Sequence, residues 1–119
     1  MIIGCTGNYR KAEFYLILKK IHTILSDQNV ECIISSDLEK NSEFNIPLDY
    51  NIMDFSIMVE QCDILFAIGG DGTILSTVRR LEKNMKPIMG IHIGGLGFLS
   101  ECSEANLSES ITYILNSDY

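Results

Sequence analysis

Five consecutive residues, Gly69-Gly70-Asp71-Gly72-Thr73, place an acid among glycines directly after the apolar run Asp63–Ile68. Glycine lets a phosphate or ribose approach the backbone with no Cβ in the way. A helix starting there offers unpaired N–H groups and a partial positive charge, which favour phosphate. A carboxylate repels phosphate, so Asp71 fits best where a hydroxyl must be oriented and deprotonated. Equally, Asp71 or Thr73 can cap the helix that follows. A second glycine segment, Gly94-Gly95-Leu96-Gly97-Phe98-Leu99, comes about 20 residues later. Its glycines also suit close approach of backbone to ligand, and the Phe98 ring can lie on a nucleobase or fill the core. Gly4-Cys5-Thr6-Gly7-Asn8 is not a full G-x-G-x-x-G and is weaker. Arg79, Arg80, Lys83 and Lys86 form a basic cluster that reads most simply as a solvated face. His22 and His92 read as structural or surface residues.

Three strand–helix alternations must position these residues. Met1–Cys5 predicts a strand and Lys11–Gln28 an amphipathic helix, with Phe14, Ile17, Leu18, Ile21, Ile24 and Leu25 on one face. Val30–Ser35 predicts a second strand. Residues 35–54 are polar, acidic and broken by Pro47, as in a loop or flap, and 52–61 can form a short helix. Asp63–Ile68 reads as a strand buried on both faces. Thr73–Asn84 reads as a helix with Ile74, Val78 and Leu81 inward, and Pro87–Ile93 as a fourth strand. Asn106 can cap a last helix whose apolar stripe is Leu107, Ile111, Ile114 and Leu115. This alternation implies an α/β fold with a mainly parallel sheet and flanking helices. Ligands of such sheets sit beyond the C-terminal strand ends, where both glycine segments fall.

Composition narrows the function classes. The chain has 119 residues, 46% of them apolar and 21% charged, the profile of one globular domain. Its longest apolar runs, Phe14–Leu18 and Ile64–Ile68, fall far short of a membrane span. The N-terminus has no basic stretch or cleavage site, so the cytoplasm is expected. A net charge of −7 disfavours nucleic acid and anionic membranes as partners. It leaves room for a small phosphorylated ligand held by backbone amides. Cys5, Cys32, Cys62 and Cys102 form no C-x-x-C pair, and the histidines fall at no metal-ligand spacing. The cysteines are expected to be reduced and mostly buried, and no residue is assigned as a dedicated metal ligand.

Gly69-Gly70-Asp71-Gly72-Thr73-Ile74-Leu75, followed by a helix, a strand and Gly94-x-Leu96-Gly97-Phe98-Leu99, resembles the N-terminal domain of the ATP-dependent (inorganic polyphosphate/ATP) NAD kinases. Diacylglycerol, sphingosine and 6-phosphofructokinases share versions of the first motif, and the pairing with the second is far more specific. The resemblance implies a three-layer, Rossmann-like and phosphofructokinase-like domain over residues 1–119, the N-terminal half of a two-domain kinase. It implies Asp71 as general base toward the 2′-hydroxyl of the adenosine ribose of NAD, with Gly72 lining the dinucleotide site and Leu96 and Phe98 the adenine pocket. Gly69, Gly70, Thr73 and Arg79 are implied at the phosphates of ATP. Mg²⁺ is implied with ATP, and a homo-oligomer for the whole enzyme. Ser76 and Gly95 depart from positions that are often basic or polar in the family. No Asn-Glu pair, the family's second-domain motif, occurs in this chain. The fragment alone is therefore expected to be inactive. Two alternatives stand beside this reading: the N-terminal lobe of a lipid or sugar kinase, and a nucleotide-binding module without catalysis.

Overall fold

Apolar strands alternating with amphipathic helices leave the chain one way to bury both: strands in the middle, helices on the two faces. The computed structural model describes residues 1–40, 46–47, 49–93, 102–103 and 106–116. Its strands are β1 (Ile2–Gly7), β2 (Glu31–Ser35), β3 (Asn51–Met53), β4 (Ile64–Gly69), β5 (Ile88–His92) and β6 (Cys102–Ser103). Its α-helices are α1 (Ala12–Asp27), α2 (Phe55–Gln61), α3 (Asp71–Leu81) and α4 (Leu107–Leu115). The strands form one sheet in the order β3-β2-β1-β4-β5-β6, and every neighbouring pair is parallel. The order reverses between β1 and β4, which makes their C-terminal ends the switch point of a doubly wound fold.

The two-residue period of the strands divides the core between two faces. Ile3, Cys5, Ile34, Phe66, Ile68 and Ile91 pack with Phe14, Ile17, Leu18, Ile21 and Leu25 of α1 and with Leu107 and Ile111 of α4. Ile33 and Leu65 point the other way, onto Phe55, Met58, Val59 and Cys62 of the α2 segment and Leu81 of α3. Asn29, at φ 57°, closes α1, a left-handed position that asparagine tolerates. Cys5, Cys32 and Cys62 are free and buried. His22 stacks on Tyr50 with ring centroids 3.8 Å apart, a packing role.

Several expectations need correction. Residues 35–54 are not all loop. Ser36–Lys40 is a 3-10 turn, and β3 pairs with β2 as Ile33↔Asn51, Ile34↔Ile52 and Ser35↔Met53. A three-residue edge strand is too short to show alternation, and its partner's register defines it. The helix expected over 52–61 starts only at Phe55, because Asp54 caps it by accepting from the Ser56 N–H at 3.2 Å. β6 was not expected, for the reason given for β3. The inward stripe of α3 is Ile74, Thr77 and Leu81, while Val78 is 49% exposed. Burial of Thr77 is tolerated because its hydroxyl donates to the Thr73 carbonyl at 2.8 Å.

Candidate functional site

At the switch point the backbone is packed too closely for side chains. A Cβ on Gly7 would lie 2.1 Å from the Ile68 carbonyl oxygen and 2.6 Å from the Phe14 ring. That close approach lets the Asn8 N–H donate to Ile68 O at 2.9 Å. The Asn8 side chain then accepts from the Arg10 N–H at 3.2 Å, which fixes the turn between β1 and α1. A Cβ on Gly69 would meet Thr73 at 2.5–2.8 Å, so glycine seats the start of α3 against the end of β4. At Gly70 and Gly72 a Cβ would meet nothing within 4 Å. These two glycines face open space and not the protein.

Between the β1–α1 turn and α3 lies a polar cavity of about 320 Å³. One wall is the turn, residues 6–10, and the other is a single face of α3: Gly72, Thr73, Ser76, Thr77 and Arg80. Asp37, from the 3-10 turn after β2, completes the described lining. Hydroxyls, turn backbone and two arginines therefore converge on one volume, in a protein whose net charge is −7. Such a lining suits an anionic, oxygen-rich ligand. A larger groove of about 620 Å³ runs between α1 and α4, lined by Leu16, Lys19, Ile24 and Leu107. It lies on the opposite face of the sheet from α3 and has no acid in its described lining.

Asp71 is the first residue of α3, and Gly70 takes the N-cap position. The expectation that Asp71 or Thr73 occupies the cap is thereby corrected. Asp71 is half-buried and falls on the side of the helix away from the cavity face. Leu75, one turn later on the same side, is 46% exposed. The start of α3 thus presents two faces, one of hydroxyls and glycine, the other of a carboxylate above an apolar side chain.

Gly69, Gly70, Asp71, Gly72 and Thr73 are brought together at one strand end. Arg79 is exposed and outside the described lining, while its neighbour Arg80 is in it. Leu96 and Phe98 lie outside the described residues. The Ile93 N–H donates to the Gly69 carbonyl at 3.1 Å, so the chain reaches the second glycine segment from beside the first. Sequence reasoning gave no role to Asp37 or Leu75, and it read Arg80 as part of a solvated basic face. The incomplete glycine pattern at 4–8 pointed to the turn that follows β1.

Among the described residues, no group of three or more His, Cys, Asp or Glu could hold a metal ion. The cavity's donor set is hydroxyls and one carboxylate, and that carboxylate is engaged by Arg80 at 3.0 Å. This set fits a Mg²⁺ ion carried by phosphates, because Mg²⁺ keeps water and phosphate ligands and needs few from protein.

A family model described as the ATP-NAD kinase N-terminal domain matches residues 3–119. The NAD kinase of Marinobacter nauticus is 30% identical over 98% of this chain and 39% of its own length. That of Methylibium petroleiphilum is 31% identical over 95% of this chain and 36% of its own length. The chain thus spans under two fifths of these curated relatives. A crystal structure of yeast NADH kinase complexed with NADH superposes with a TM-score of 0.79 at 23% identity, covering 97% of this chain and 38% of that one. The likeness extends to the fold, and the family model spans nearly every residue, so the chain belongs to the ATP-NAD kinase family, as its N-terminal domain.

Proposed function

We propose that this domain is part of an enzyme that transfers the γ-phosphoryl group of ATP to the 2′-hydroxyl of the adenosine ribose of NAD, giving NADP and ADP. The observation that carries this reading is the two-faced start of α3. The cavity face, with Gly72, Thr73 and the turn at 6–10, takes the phosphates of the donor. The opposite face, with Asp71 above Leu75, takes the acceptor. Asp71 accepts the 2′-hydroxyl proton while that oxygen attacks the γ-phosphorus. The bond from phosphorus to the ADP oxygen breaks, and ADP leaves. Such transfers depend mostly on positioning and charge neutralisation, which Gly70 and Gly72 assist by leaving the approach open. Thr73 would hold the Mg²⁺ that arrives with ATP, and the ion would neutralise phosphate charge. Leu96, Phe98 and Arg79 keep the roles that the family resemblance implies, at the adenine and the phosphates. Membership of this family weighs against a lipid or sugar acceptor. No described helix is long and apolar enough to cross a membrane, and the free thiols suit a reducing, cytoplasmic setting.

Asp71→Asn tests this in the full-length protein, because asparagine keeps the shape but is no base. The expected loss in kcat is about 10²–10⁴-fold, with Tm within a few degrees and ATP binding retained. A kcat within a few-fold of wild type would show that Asp71 is not the base. A Tm that collapses with activity would make the residue structural.

A further inference from the structure

Arg80 lies on the same α3 face as Thr73 and Ser76, about 10 Å along the helix axis from Thr73 at 1.5 Å per residue. Long helical side chains lean back toward the N-terminus, which carries its guanidinium into the cavity wall. The group is held from two directions. Its carbon sits 3.8 Å over the Phe55 ring, and one nitrogen donates to Asp37 Oδ2 at 3.0 Å. Asp37 is itself fixed, since the fully buried Ser35 donates its hydroxyl to Oδ1. The next residue, Leu38, is also fully buried and accepts from the Tyr15 hydroxyl at 2.8 Å. An ordinary surface ion pair is neither stacked nor anchored in this way, and contributes little. Here the bond to Asp37 uses one of five N–H donors, and the side chain remains 40% exposed.

We propose that Arg80 is a ligand of the donor's phosphate chain, and that Asp37 is the positioning residue that aims it. The inference rests on the reading of this cavity as the donor site. A single phosphate at the start of α3 would lie a turn or more from Arg80. A chain of linked phosphates can touch both, so Arg80 reads the length of the phosphate chain and not the nucleoside.

The test uses the full-length protein and two probes, ATP and inorganic tripolyphosphate, with binding followed by calorimetry beside initial rates. Arg80→Met should raise the KM for ATP by about ten-fold or more, with the KM for NAD within two-fold. Its affinity for tripolyphosphate should fall by the same factor as that for ATP. Arg80→Lys keeps the charge but not the stacked fork, so its loss should be intermediate. Asp37→Asn should raise the KM for ATP about three-fold at near-constant kcat, and Asp37→Glu should restore it. Arg80→Lys and Asp37→Asn decide the matter if Arg80→Met does not fold. Unchanged affinity for both probes in a folded Arg80 variant would overturn the proposal. So would an effect on ATP with none on tripolyphosphate, or an equal rise in the KM for NAD. If the wild-type protein binds both probes but does not phosphorylate NAD, the functional reading fails, and the binding arms still decide the role of Arg80.

Discussion

A carboxylate in the first turn of a helix is favoured by the local field, and Asp71 holds that position at the start of α3. The cysteines show the opposite chemistry. The contact of Cys5 with Cys32, 3.7 Å between sulfurs, and then burial push the Cys5 thiol well above its ordinary range. Burial pushes Cys62 up as well. A raised folded-state value stabilises the fold below the unfolded thiol's value of about 8.5, and that stability is lost as pH rises through the folded value. Chemical denaturation at pH 8 and pH 10.5 should therefore show a lower midpoint at the higher pH, and Cys5→Ser should shrink the difference. Under native conditions at pH 8, Cys5 and Cys62 should react with iodoacetamide far more slowly than in urea. Among residues, the acid in its glycine frame was legible because local spacing carries the meaning. Arg80 was not, because a charge on a helix face looks solvated until Phe55 and Asp37 are folded against it.

At the scale of elements, the glycines of one site divide into two kinds with opposite signatures. Gly7 is a packing glycine: Gly7→Ala drives a methyl into the Ile68 carbonyl and the Phe14 ring. It should cost at least about 1–3 kcal/mol, as overpacking does, and lower Tm by roughly 5–15 °C. Gly72 is helical and open to solvent. Gly72→Ala should stabilise the helix by about 0.5–1 kcal/mol while its methyl obstructs the ligand and lowers kcat/KM. Thermal melts and rates on the two variants check both signs, and a Gly72→Ala protein with full activity would place the ligand elsewhere. Periodicity revealed α1 because it is long and buried on one face, and an unbroken apolar run revealed β4 because it is buried on both. It misassigned Val78 because a threonine that bonds its own helix can take the inward place. It could not reveal β3 or β6, which exist by pairing and not by composition.

For the whole molecule, the sheet is covered on both faces, by α1 and α4 on one and α2 and α3 on the other. The 119-residue chain should therefore unfold cooperatively when purified alone. It should nonetheless form no NADP, because it spans only 36–39% of its relatives and transfer needs both substrates held in line. Calorimetry and an NADP assay on one preparation check this, and ordinary turnover by the fragment would overturn it. The doubly wound class was legible from element order alone. The meeting of a turn at residue 8, an acid at 37 and a helix at 72–80 was not, since only the strand order makes them neighbours.

That strand order also governs how the chain acquires its shape. β1 precedes the sheet's other strands in the chain and ends in the middle of the sheet, and one of its two neighbours is β4, paired as Ile3↔Ile64 and onward. A nascent chain that has produced β1, α1 and β2 holds a finished strand with one edge open until β4, about sixty residues further along, has been synthesised. Contacts this distant in sequence are slow to form, because a long loop must close before they stabilise anything. During synthesis the open edge of β1 is the place where a chaperone can intervene, and where a wrong strand can pair.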